Sequence, residues 1–134
     1  MISFLAFMNQ SLGKTLTAPG GLGGRCVDLI NVYLMLCFGL PHVWLNAVDW
    51  QHVSLAGWSW VPNGPSNYPL DRAIVVWGAT PAHAIGTDGH IALSVDADAS
   101  FLLTMDQNWP TGAPVQIVEH DYIGVLGWHT PPPH

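Results

Sequence analysis

Cys26 stands where a glycine-rich loop, Gly20-Gly21-Leu22-Gly23-Gly24, runs into a strongly helical stretch from Val27 to Phe38, so its sulfur projects from a helix N-terminus. Unpaired backbone N–H groups and the positive end of the helix macrodipole favour an anion there, which is where a thiol becomes a thiolate. The same N–H groups can stabilise a developing oxyanion. A nucleophile needs a base. His90 opens an apolar run, His90-Ile91-Ala92-Leu93-Ser94-Val95, directly after the turn residues Thr87-Asp88-Gly89, and reads as a histidine at the start of a β-strand.

A third segment, Met105-Asp106-Gln107-Asn108-Trp109, closes the strand expected to form a hairpin with the His90 strand. In an extended chain Asp106 and Asn108 alternate onto one face. If that face also bears His90, either side chain can hold the second ring nitrogen and fix the tautomer. The competing reading makes both of them turn residues that cap a strand end. A cysteine at a helix start, a histidine at a strand start and a polar orienter on the next strand make a papain-like layout.

The elements that must position these residues change character once along the chain. Phe4 to Gly13 reads as a short helix ended by its glycine, followed by the glycine loop and then the Cys26 helix, stopped by Gly39 and Pro41. His42 to Trp50 adds a short helical turn. Gly57 to Pro69, crowded with Trp58, Trp60 and turn residues, reads as an ordered loop at the rim of a groove. Beyond it come short β-type runs, Ala73 to Trp77, His90 to Val95, Phe101 to Met105, Val115 to Glu119 and Tyr122 to Trp128. Helices first and strands after give an α+β fold, with N-terminal helices packed on one antiparallel sheet of about five strands. Residues 1–130 are expected to form one domain, and the proline-rich tail 131–134 to fray or begin a linker.

A chain of 134 residues suits one domain with a real core. No apolar run reaches the roughly 18 residues of a membrane span, so membrane insertion is not expected. The apolar start, Met1 to Leu12, lacks a basic leader and a small-residue cleavage site, and reads as a structural helix with no signal peptide. Three basic residues, Lys14, Arg25 and Arg72, against nine acidic ones leave no positive surface for nucleic acid.

The two cysteines do not suggest a disulfide, because eleven helical residues set them about 16 Å apart and a bridge needs Cα atoms within about 7 Å. Cys37 falls on the apolar stripe of Leu29, Ile30, Tyr33 and Leu34, and reads as a buried core thiol. Trp109 and Trp128 read as sheet-core packing, whereas Trp58 and Trp60 suit an exposed platform for a sugar or peptide. No His-x-x-x-His or Cys-x-x-Cys pair supports a zinc site built from His83, His90 and a third ligand. His42, His52, His120, His129 and His134 read as ordinary surface or half-buried residues. The glycine loop lacks the Gly-Lys-Ser/Thr ending of a phosphate-binding loop.

Four ordered segments, Gly24-Arg25-Cys26-Val27-Asp28-Leu29, Gly89-His90-Ile91-Ala92, Asp106-Gln107-Asn108-Trp109 and Val125-Leu126-Gly127-Trp128, resemble the CHAP domain, the cysteine- and histidine-dependent amidohydrolase/peptidase of the papain-like superfamily found in phage endolysins. The resemblance covers nearly the whole chain. It implies an α+β fold and cleavage of amide bonds in bacterial peptidoglycan, as an N-acetylmuramoyl-L-alanine amidase or a cross-bridge endopeptidase. By it, Cys26 matches the nucleophile, His90 the general base, and Asn108 the asparagine two residues after the position of Asp106, where the family often has glutamate. Arg25 stands where glutamine commonly precedes the cysteine and is a candidate substrate contact with Trp58 and Trp60. Some phage members bind calcium through acidic residues shortly before the cysteine. Thr15 to Arg25 holds none, so no metal and no cofactor are expected. The resemblance also implies a phage-encoded protein, made in the host cytoplasm and acting on the wall after release or from the virion, with peptidoglycan as its partner. Oligomeric state is not readable. A second class remains open, a catalytically silent wall-binding or structural phage module, and geometry discriminates. A working site requires the Cys26 sulfur within about 4 Å of a His90 ring nitrogen and open to solvent.

Overall fold

The computed structural model describes residues 1–133. Two α-helices come first, α1 (Phe4–Ser11) and α2 (Cys26–Phe38), followed by a 3-10 turn at Ala47–His52. Six strands follow: β1 (Ser59–Pro62), β2 (Ile74–Trp77), β3 (His90–Ala97), β4 (Leu102–Asp106), β5 (Gln116–His120) and β6 (Val125–Thr130). They form one antiparallel sheet in the order β1-β6-β2-β3-β4-β5. The architecture is the expected α+β one. Its sixth strand, β1, lies inside the segment expected to be all loop, and it ends in Pro62 at the sheet edge, where a proline costs no ladder bond. No helix among the described residues is long and apolar enough to cross a membrane.

Sheet alternation divides the core in two. Ile74, Val76, Ile91, Leu93 and Met105 face α2, where they meet Leu29, Ile30, Tyr33 and Leu34. Ala73, Val75, Trp77, Ala92, Leu102 and Trp128 build the core of the opposite face. Burying both faces fixes the register, because a one-residue slip would exchange them.

α2 ends as its sequence dictates, with Gly39 in the left-handed region (φ 65°) and its N–H returned to the helix. Cys37 lies near this end and is half-buried against the core, not fully buried as expected, and burial pushes its thiol up to about 11. The described part of the proline tail is packed on the domain. Pro131 is buried and Pro132 half-buried, and Pro132 and Pro133 border a hollow shared with Tyr33 and Arg72. His134 lies outside the described residues. His129, expected at or near the surface, is buried, with its Nε2 donating to the Trp50 carbonyl at 2.7 Å.

Candidate active site

The loop before Cys26 is held by two buried side chains. Asp28, in the first turn of α2, accepts from the backbone N–H groups of Ala18, Gly23 and Arg25, each at 3.2 Å, and so wraps the glycine loop over the helix start. Gly21 passes so close to this carboxylate that a Cβ there would overlap it. Gln107, just beyond β4, reaches the same loop from the sheet. Its Oε1 accepts from the Leu16 N–H at 2.6 Å, and its Nε2 donates to the carbonyls of Leu16 at 3.0 Å and Arg25 at 2.8 Å. The residue preceding Cys26 is thereby tied to the strand that carries Asp106.

The histidine is positioned with equal economy. Gly89 takes φ 76°, which favours glycine, and a Cβ on it would run into the Trp77 carbonyl and Val48. β3 then starts at His90, paired with Trp77 of β2. Its Nε2 lies 2.7 Å from Asp106 Oδ2. Cys26 lines the same cleft as His90 and lies near enough to act on the charge of the ring. Burial opposes the charged imidazole, but the hydrogen bond with Asp106 and the pull of Asp106 and Cys26 outweigh it, and the His90 pKa rises to about 9.

Asp106 is fully buried, which by itself would favour the neutral acid. Hydrogen bonds from His120 and His90, together with their charge, hold it below the usual carboxylate range. His120 Nε2 lies 3.0 Å from the same Oδ2, and the Thr104 hydroxyl donates to Oδ1. Expected at the surface, His120 is instead buried on β5, and neither it nor Thr104 was distinguishable by local pattern. Asn108 does not take the orienting position. Its backbone turns into the left-handed region (φ 65°), ending the alternation, and its Oδ1 accepts from the Gly112 N–H at 2.6 Å. The turn reading of Asn108 is the one the geometry follows.

Cys26, His90, Asn108, Trp109 and Ile85 line a cleft of about 260 Å³. Trp109 is half-buried, packed against the same sheet core that holds the fully buried Trp128, and turns its ring to the cleft, 5.1 Å from that of His90. Trp77 and Trp109 flank both imidazoles, at 5.2 and 5.1 Å from His90 and 4.8 and 5.3 Å from His120. Trp58 and Trp60 do not line the cleft. Trp58 packs on Phe38 at the far end of α2, about 18 Å along the helix from Cys26, and Trp60 packs on His129. The guanidinium of Arg25 lies 5.8 Å over the Trp44 ring, in a separate hollow shared with Asn46 and Asp49. His83 also lines the cleft but bonds Asp121 at 2.8 Å. Among the described residues the group with metal-ligand spacing is His90, Asp106 and His120, whose ligand atoms lie within 4.8 Å of one another.

No protein-family profile and no curated protein sequence matches this chain. Solved structures do. The wild-type endolysin LysIME-EF1 matches over 96% of this chain and 62% of its own, with a TM-score of 0.81 and 26% identity. The fold is shared with endolysins. Ly7917, solved with the hydrolyzing product of MDP, matches over 96% of this chain and 61% of its own, with a TM-score of 0.70 and 19% identity, and shows the fold alone. The chain thus spans about three fifths of the length of these structures.

Proposed function

We propose that residues 1–130 form a CHAP-type catalytic domain that cuts an amide bond of bacterial peptidoglycan with Cys26 as nucleophile. The observation that carries this reading is the meeting of Cys26 and His90 in one cleft, with the His90 ring bonded to the buried Asp106 carboxylate behind it. The structural likeness to an endolysin supports the substrate class.

Because Nε2 of His90 is committed to Asp106, Nδ1 is left to serve the thiol. The imidazole takes the thiol proton, and the raised His90 pKa favours the resulting ion pair. The thiolate attacks the amide carbonyl, forming a carbon–sulfur bond. The first-turn N–H of Cys26, which has no acceptor within the helix, and a neighbouring donor stabilise the oxyanion. His90 then gives its proton to the leaving amine as the carbon–nitrogen bond breaks. Water, deprotonated by His90, hydrolyses the thioester and frees Cys26. Asp106 keeps one tautomer in place and stabilises the imidazolium throughout. Trp109 forms a wall for substrate, whereas Arg25, turned to Trp44 and Asp28 in a separate hollow, lies outside the cleft. Such a protein, made in the host cytoplasm, meets its substrate once released to the wall.

The test is mass spectrometry of purified peptidoglycan from several wall types after incubation with wild type and with Cys26→Ala. Fragments made only by the wild type are expected, and their new termini separate amidase from endopeptidase. Identical digests across all walls would favour the silent wall-binding module.

A further inference from the structure

We propose that His90, Asp106 and His120 form a zinc-binding site, and that zinc held there switches the hydrolase off. The binding half stands on geometry alone, and the inhibitory half rests on the function proposed above.

Three adjacent strands, β3, β4 and β5, bring the three ligand atoms together. His90 Nε2 and His120 Nε2 lie 2.7 and 3.0 Å from one carboxylate oxygen, Asp106 Oδ2, and all three residues are buried. Zinc holds nitrogen and oxygen ligands at about 2.0–2.2 Å in a tetrahedron, which sets the ligand atoms roughly 3.3 Å apart. The two nitrogen–oxygen separations, 2.7 and 3.0 Å, need to open by about 0.3–0.6 Å to reach that spacing, and the two nitrogens, which lie within 4.8 Å of each other, need to draw together. Two imidazoles and one carboxylate are a common zinc donor set, leaving the fourth position for water. Calcium, which takes six to eight oxygens, does not fit this set.

The supporting contacts are those of a ligand shell. The Thr104 hydroxyl holds Asp106 Oδ1, which turns Oδ2 toward both imidazoles. Trp77 and Trp109 confine the two rings from either side. Orientation of ligands by outer contacts of this kind strengthens a metal site. Metal and proton compete for the same nitrogen lone pairs. An ion on Nε2 of His90 breaks its contact with a free Asp106 carboxylate and bars the doubly protonated ring, so the proton shuttle between sulfur and leaving amine stops.

The experiment uses tag-free protein. Calorimetry of Cys26→Ala with zinc chloride is expected to show one site per chain, and adding His120→Gln to weaken it by at least a hundredfold, more than the roughly 10–100-fold loss caused by removing an outer contact. Circular dichroism and melting confirm that the double variant is folded. X-ray absorption of the zinc-loaded wild type is expected to show nitrogen and oxygen near 2.0–2.1 Å and no sulfur. A sulfur ligand near 2.3 Å, or loss of binding in Cys26→Ala, would mean capture by Cys26 in the cleft and would overturn the site. Equal affinity with and without His120→Gln would overturn it too. Zinc should inhibit wild-type digestion of peptidoglycan, with recovery on chelation. Full activity in zinc-saturated protein would sink the switch. Absence of digestion in metal-free protein would instead count against the hydrolase and leave the binding result intact.

Discussion

The Nε2 atom of His90 sits 2.7 Å from Oδ2 of Asp106, whose carboxylate has no exposure to solvent. This contact sets both the tautomer and the charge of the imidazole, and the geometry gives it to Asp106 and not to Asn108.

Asp106→Asn should therefore lower kcat on peptidoglycan by about 10³–10⁴-fold, as expected when a triad carboxylate is replaced and the tautomer is lost. Asn108→Ala, whose side chain only closes a turn on Gly112, should lower it by less than about tenfold. Turbidity assays on both variants and their double measure this directly. Similar losses for the two singles would contradict the assignment.

The His90 pKa, raised from 6.5 to about 9, predicts two responses to pH. The folded value lies above the unfolded one, so the interaction contributes stability that is complete below about pH 6.5 and is lost as pH rises through about 9. At roughly 1.4 kcal/mol per pKa unit, that contribution is on the order of 3 kcal/mol. The kcat/KM profile should fall along the same alkaline limb, as the imidazolium that protonates the leaving amine disappears. Asp106 works in the opposite sense. Its depressed pKa contributes stability above about pH 4 that is lost in stronger acid. Melting temperature measured from pH 3 to 10 checks both, and an alkaline limb unmoved in Asp106→Asn would refute the cause given for it.

Gln107→Ala removes the three hydrogen bonds that join Leu16 and Arg25 to the sheet. The carbonyls of Leu16 and Arg25 keep donors in Gly24 and in Asp28 and Leu29, so the Leu16 N–H is the group left unsatisfied, at a cost of about 1–3 kcal/mol, seen as a Tm lower by roughly 5–10 °C. It should also slow alkylation-sensitive turnover, because the helix start that carries Cys26 loses its tie to β4. Calorimetric melting and activity are read together, and a variant with wild-type values in both would show the tie to be idle.

Trp109→Ala and Trp58→Ala should separate cleft from scaffold. The first opens the wall beside His90 and should raise KM several-fold, while the second removes packing on Phe38 and Tyr33 and should lower Tm with KM unchanged. A KM effect from Trp58→Ala would restore it to the substrate path.

Local pattern carried the sequence reading a long way. The glycine loop and the apolar stripe place Cys26 at the start of α2, and the turn at Thr87-Asp88-Gly89 starts β3 at His90. Partners that arrive through space leave no such local mark. His120 meets Asp106 only because β5 pairs with β4, so its own neighbours in sequence say nothing of its burial. Gln107 acts on residues 82 and 91 positions away. Asn108 was placed by assuming an extended backbone, and its positive φ turns the chain at that residue. Edge strand β1 was hidden by its four-residue length and its proline. The tryptophans could not be told apart by type, since core and cleft both accept an indole.

The Arg25 carbonyl is bound by Gln107 from 82 residues later in the chain, and the carboxylate that orients His90 is its sequence neighbour. A ribosome adding about 5–20 residues per second therefore exposes the thiol several seconds before the rest of the machinery exists. During synthesis the sulfur has neither its proton acceptor nor a fixed helix start. On the proposed mechanism the nascent protein is its own safety catch, without a competent thiol until the second half of the sheet has closed on the first helices.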